Sequence, residues 1–327
     1  MLAGGASLKG RQIVFLRQLN EVEVTPKKKM IGLSCGRVNG NSEILLKEAL
    51  MGAGEIGVQS EIIRAMELRV KHCTGCEACS MAMARGKESR CAIKDDDVEW
   101  ILEKVLVEDC GLIVSTPVYH LRSNGCFEII NERMLPTMFR NPGILKKTRV
   151  GAIISVGGGE PEWTPLGLTS ANIFVQHTRK LVDQIQVNFV GRPGAVLARP
   201  EVLERARELG RRVARAMMVP IEEVRYMGED KDVSCPVCHC NVVQVFEKLP
   251  DVYCPVCWVH GVLFAEGSKM KVKWNEEDAK HPRFSEKGVF THLELIKNLQ
   301  KKFFTEDQDK VKTLMPKYVS YGNIIKP

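Results

Sequence analysis

From residue 30 to about 218 the chain alternates short apolar runs with stretches of helical spacing, and that alternation restricts its fold more than any other feature. "KMIGLS", "GVQSEIIR", "GLIVST", "RVGAIISV" and "LVDQIQVNFVG" read as five strands. "NSEILLKEALMGAG", "DDDVEWILEKVLVEDCG" and "SNGCFEIINERML" read as helices between them, and "RPEVLERARELGRRVARAMM" as a long amphipathic helix after the fifth strand. Strands joined through helices imply right-handed crossovers and a parallel sheet. The expected class is α/β, doubly wound, with strand order 2-1-3-4-5. Ligands in such sheets bind beyond the carboxyl ends of the strands, and each loop of unusual composition here follows a strand.

The remainder divides by composition. Residues 1–29 lack periodicity, end in "PKKK" and read as an extension ahead of the 30–218 domain, which carries a cysteine-rich insert at 72–97. A linker is expected at 219–232, a short cysteine-bearing β module at 233–285, and a charged helical tail that becomes loop-like at 286–327. A chain of 327 residues can bury one large core and a smaller one. No apolar run approaches the roughly 18 residues of a spanning helix. The N-terminal "IVFL" is too short for a signal core, so a cytoplasmic protein is expected. The net charge of +7 reads as a solvated surface. Basic blocks with interleaved aromatics are missing, which argues against a nucleic-acid partner.

Nine of the twelve cysteines fall in two clusters. In a reducing compartment, Cys-x-x-Cys spacing points to metal more than to disulfides. In the second cluster, Cys235, Cys238, Cys254 and Cys257 form two CPVC pairs separated by fifteen residues. Two such knuckles make a four-thiolate tetrahedral site in a zinc-ribbon or rubredoxin-like module. Zinc is the first choice and a single iron the second, because His239 and Trp258 stand where rubredoxin-type knuckles place glycine. Cys240 is an odd thiol able to replace Cys238. Such a site either stabilises a small fold or relays electrons. In the first cluster, Cys73, Cys76 and Cys79 recur every third residue, and Cys91 follows a flexible insert of eleven. From ligand chemistry alone an iron–sulfur cluster, a zinc site and redox-active thiols all remain open. His72 reads as a polar loop residue. Cys35, Cys110 and Cys126 lie at element ends, the last two as small core fillers.

The first strand runs into "SCGRVNGNS", where a curled backbone at a helix N-terminus suits a phosphate. Ser34, Asn41 and Ser42 offer donors and Arg37 offers charge; a polar turn capped by Asn41 or Ser42 is the plainer alternative. The spaced glycines of a dinucleotide fingerprint are missing. "GLSCGRVNGNS" resembles the phosphate loop of the NADPH-dependent FMN reductase and iron–sulfur flavoprotein superfamily, with Cys35 and Gly36 departing from the usual small residue and proline. "CGLIVSTPVYHLRSNG" resembles the family's second motif and "ISVGGGEPEW" its third. "CTGCEAC…CAIKDDD" resembles its compact [4Fe–4S] motif, with a longer interval before the last cysteine. The resemblance covers about residues 30 to 218.

It implies a flavodoxin-like fold that binds FMN through Ser34, Arg37, Asn41 and Ser42 at the phosphate. Thr116, Pro117, Val118, Tyr119, Gly157, Gly158 and Gly159 would border the ring. It implies Cys73, Cys76, Cys79 and Cys91 as cluster ligands, and a homodimer or homotetramer. The implied activity is an FMN-dependent oxidoreductase moving electrons between NAD(P)H or ferredoxin and a small organic acceptor: a quinone, an activated alkene, a nitro compound or oxygen. Two alternatives stand beside it. One is a plain NAD(P)H:FMN or quinone reductase without the cluster; the other is a non-catalytic flavin redox sensor acting through its zinc ribbon. Tyr119, His120 and Trp163 lie on loops able to face a substrate, and none is assigned a catalytic role.

Overall fold

Strand β1 (Lys29–Ser34) is buried along nearly its whole length, as a central strand covered on both faces must be. In this computed structural model, which describes residues 28–246, 250–322, 324, 325 and 327, the chain continues through α1 (Asn41–Glu55), β2 (Gln59–Arg64) and α2 (Ala78–Ala84). Next come α3 (Val98–Leu102), which runs on as a π-helical turn over Glu103–Val107, then β3 (Gly111–Tyr119), α4 (Gly125–Glu132) and α5 (Met134–Arg140). Strand β4 (Arg149–Val156), α6 (Gly167–Gln176), β5 (Arg179–Val187) and α7 (Pro200–Ala216) complete the first unit. The extension expected at 1–29 lies almost wholly outside the described residues.

The five strands are parallel in the order β2-β1-β3-β4-β5, the doubly wound order expected from the sequence. A two-residue strand, Arg122–Ser123, folds back antiparallel on the end of β3. Core side chains divide between the two sheet faces. Leu45, Leu46 and Ala49 of α1 meet Leu209 and Val213 of α7 on one face. Ile101, Leu102, Phe127 and Phe174 fill the other. Helices α1 and α7 cross with backbones in contact: a Cβ at Gly210 would overlap the carbonyl of Ala49.

After α7 the chain forms β6 (Gln244–Val245), β7 (Asp251–Tyr253), β8 (His260–Glu266) and β9 (Lys269–Trp274), a four-stranded antiparallel sheet in the order β9-β8-β7-β6. Helices α8 (Glu276–Lys280), α9 (Glu286–Lys302) and α10 (Gln308–Val319) follow. This unit lies along the open edge of β5. The Met227 amide donates to Val182 at 2.7 Å. Gln184 donates through Nε2 to His239 O at 3.0 Å, and Gln176 donates through Nε2 to Val237 O at 3.3 Å. No helix among the described residues is long and apolar enough to cross a membrane.

The interval between Cys79 and Cys91 departs from expectation. It is not a flexible insert: α2 occupies its first part, Met83 is buried, and Ser89 donates to the Cys79 carbonyl at 3.0 Å. The run "SMAMA" consists largely of good helix formers, so the insert adds an element, not slack.

Candidate functional site

The loop after β1 closes on itself. The Gly40 amide donates to Arg37 O at 3.0 Å, and Asn39 takes φ 55° to make the turn. Helix α1 then begins at Gly40 without a side-chain cap, so its first amides and its positive dipole end stay open to an anion. A Cβ at Gly36 would strike the Ser42 hydroxyl, so only glycine keeps that hydroxyl clear.

A cleft of about 220 Å³ opens there, beyond the carboxyl ends of β1, β3 and β4. Of the residues singled out from sequence, Arg37, Asn41, Ser42, Pro117, Val118, Tyr119 and Gly158 line it. Ser34 and Thr116 are buried and do not line it, with Thr116 donating to Asn124 Oδ1 at 3.3 Å. Gly157 is packed against Thr164, and Gly159 against Trp163. Gly158 faces Gly191, where a Cβ would come within 2.9 Å of the Gly191 Cα. The Asn41 amide is used for fastening: Nδ2 donates to Val190 O at 2.6 Å and Arg192 O at 2.7 Å. Sequence reasoning missed the wall formed by Val190, Gly191 and Pro193. The glycines and proline of "VGRPG", directly after the fifth strand, were the available signal. Tyr119, on the cleft lining, is 53% exposed, and Trp163, packed against Gly159, is 62% exposed.

Cys73 and Cys76 are exposed, while Cys79 and Cys91 are half-buried. The loop turns through Gly75 at φ 65° and Glu77 at φ 57°. The Ala78 amide and the Thr74 side chain lower the pKa of Cys76, whereas burial raises that of Cys79, helped by the nearby Cys91 and Cys73. The acidic triplet that follows is occupied with the backbone. Asp97 Oδ2 accepts from the Arg69 amide at 2.8 Å and Asp96 Oδ2 from the Lys71 amide at 3.0 Å, while Asp95 pairs with Lys71.

The second thiol group is compact. The sulfurs of Cys235, Cys238, Cys254 and Cys257 all lie within 4.8 Å of one another and all are buried. The Cys238 to Cys254 separation is 3.5 Å, close to the roughly 3.8 Å that tetrahedral Zn–S bonds dictate. Among the described residues, no other group of three or more Cys, His, Asp or Glu side chains closes to this distance. The two knuckles repeat each other. The His239 amide donates to Cys235 O and the Cys235 amide to Cys240 O; the Trp258 amide donates to Cys254 O and the Cys254 amide to Val259 O, each at 2.9 Å. Cys240 therefore occupies the place of Val259, outside the four. His239 and Trp258 take φ 57° and 62° where glycine is easiest. His239 stacks on Tyr226 at 3.5 Å, and Arg283 covers Trp258 at 4.9 Å. Mutual contact raises the thiol pKa of Cys235, and those of Cys238 and Cys257 also rise, while Cys254, accepting from its neighbours, is held low. Four thiols so packed ionise together only around a cation.

No family model matches the chain. An iron–sulfur flavoprotein of Methanocaldococcus jannaschii is 30% identical over 197 residues, which span 57% of this chain and 95% of that relative. The chain belongs to the iron–sulfur flavoprotein family. This iron–sulfur flavoprotein is also similar to a flavone synthase of Aspergillus candidus, at 25% identity over 268 residues that span 71% of this chain and 77% of that one. The solved structure of a flavone reductase superposes with a TM-score of 0.73 at 27% identity, covering 91% of this chain and 99% of that one. The protein is thus a flavin-dependent oxidoreductase of flavodoxin-like fold with a four-cysteine centre in its C-terminal region.

Proposed function

We propose that this iron–sulfur flavoprotein binds FMN and reduces a conjugated carbonyl compound of the flavone kind with electrons from NAD(P)H or reduced ferredoxin. The observation that carries the reading is the cleft at the uncapped start of α1, bordered by the Pro117–Tyr119 loop, combined with a likeness to flavone reductase over 91% of the chain. The Arg37 guanidinium, the Ser42 hydroxyl and the first amides of α1 would hold the phosphate. Pro117, Val118, Tyr119 and Gly158 would border the ring, and the exposed faces of Tyr119 and Trp163 would receive a planar acceptor. Bound FMN supplies hydride chemistry; these residues orient it and exclude water.

Cys73, Cys76, Cys79 and Cys91 would carry a [4Fe–4S] cluster that moves single electrons. Four thiolate donors on one loop at Cys-x-x-Cys spacing, in a chain similar to iron–sulfur flavoproteins, support that reading. Cys235, Cys238, Cys254 and Cys257 would hold zinc. The same reading takes 219–232 as the boundary between the units and a homodimer or homotetramer as the working form. Anaerobic stopped-flow spectroscopy tests it. FMN released by acid, flavin bleaching by NAD(P)H or reduced ferredoxin, and reoxidation by added flavone are the expected results. A flavin that no donor bleaches, or that flavone leaves reduced, overturns the donor or the acceptor assignment respectively.

A further inference from the structure

One buried side chain closes the loop that carries the first four thiols. Arg133 sits between α4 and α5, is 3% exposed, and reaches both ends of that loop. Its Nη1 donates to the carbonyl of Lys71 at 2.9 Å, just ahead of Cys73. Its Nη2 donates to Cys91 Sγ at 3.4 Å and to Ile93 O at 3.5 Å. Asp96 fixes the guanidinium plane, pairing with Nη1 through Oδ2 and accepting from Nη2 through Oδ1 at 3.1 Å. A guanidinium is a rigid planar fork, so a carboxylate that sets one edge sets the remaining N–H directions too. Of the cations around the loop, Lys71 and Arg69 pair with Asp95, Arg90 with Glu88, Lys94 with Glu99, and Arg140 with Ser89 O and Glu103.

We propose that Arg133 is a positioning residue for Cys91 as the fourth cluster ligand, and that its N–H bond to the sulfur raises the cluster's reduction potential. The proposal rests on the reading of Cys73, Cys76, Cys79 and Cys91 as cluster ligands. With α2 filling the interval, close spacing does not place Cys91; Arg133 does. A hydrogen bond to a ligating sulfur draws off electron density and favours the more negative, reduced state.

The test uses anaerobically reconstituted full-length protein, wild type beside Arg133→Lys and Arg133→Gln. Iron, sulfide and flavin contents, the midpoint potential, and the rate of iron release to a ferrous chelator are measured. Both variants should keep flavin, show a more negative cluster potential, and release iron faster by about 10- to 100-fold. Wild type that takes up neither iron nor sulfide overturns the ligand reading and this proposal with it. Wild type that holds the cluster, with variants of equal potential and equal release rate, overturns the role of Arg133 alone. A third measurement does not depend on the variants folding. In wild-type protein carrying isotopically labelled arginine, pulsed EPR of the reduced cluster should show coupling to a guanidinium nitrogen. Its absence overturns the contact.

Discussion

Asn124 carries more of the cleft than its place in the sequence suggests. Its Nδ2 donates to Cys35 O at 2.6 Å, and its Oδ1 accepts from the Phe127 amide at 3.3 Å as the cap of α4. One side chain thus joins the phosphate loop, the loop after β3 and a helix start. Asn124→Ala should lower stability by roughly 1–3 kcal/mol, from a lost cap and an orphaned buried carbonyl. Urea denaturation measures this, and a loss below a few tenths would refute the role. Arg37 and Ser42 were legible as cleft-lining candidates because a charge and a hydroxyl sit beside a strand–helix turn. Asn124 was not, since its partner lies 89 positions away and only the folded sheet brings them together. Asn41 was legible as important, but its task differs from donation to phosphate, because Val190 and Arg192 take its amide.

The hairpin after β3 is built against its own residues. Tyr119 pairs with Arg122, leaving His120 and Leu121 as a two-residue turn at φ 54° and 76°. Both lie in the left-handed region, where a non-glycine residue costs about 1–2 kcal/mol. The combined change His120→Asn and Leu121→Gly should therefore raise stability by roughly 1–2 kcal/mol, read as a higher Tm. An unchanged or lower Tm would show that the loop is relaxed as it stands. The strands and their order were legible from period and length, since a buried parallel strand is a continuous apolar run. Helix α2 was not, because it is only seven residues long and its one buried side chain, Met83, belongs to a run that reads equally well as a loop.

Across the whole molecule, the two units meet at groups that respond to pH and to chelation. His177 donates through Nδ1 to Ile173 O at 2.6 Å and packs at a tilt against Phe284 with ring centroids 3.9 Å apart, joining the end of α6 to the C-terminal region. Burial, only partly opposed by the Ile173 carbonyl, pushes its pKa from 6.5 down to about 4. The unfolded chain then binds the proton more readily than the folded one. Stability from the neutral ring is full above about 6.5 and falls as pH drops toward 4, by roughly 3 kcal/mol in all. Thermal melts across that window should steepen in wild type and flatten in His177→Phe; parallel curves would remove His177 from the interface. Chelation acts from the other side. The four thiols Cys235, Cys238, Cys254 and Cys257 brace the segment that Gln184 grips beside β5, the last strand of the sheet. Stripping the metal should lower Tm by several degrees and release thiols to an alkylating reagent; an unshifted Tm would make the centre dispensable to the fold. The exposed rim of β5 would then be a naked template for strand addition. A metal held by the four thiols would thereby guard against self-association, and a chelated preparation should scatter light and bind an amyloid dye while its flavodoxin-like domain is still intact.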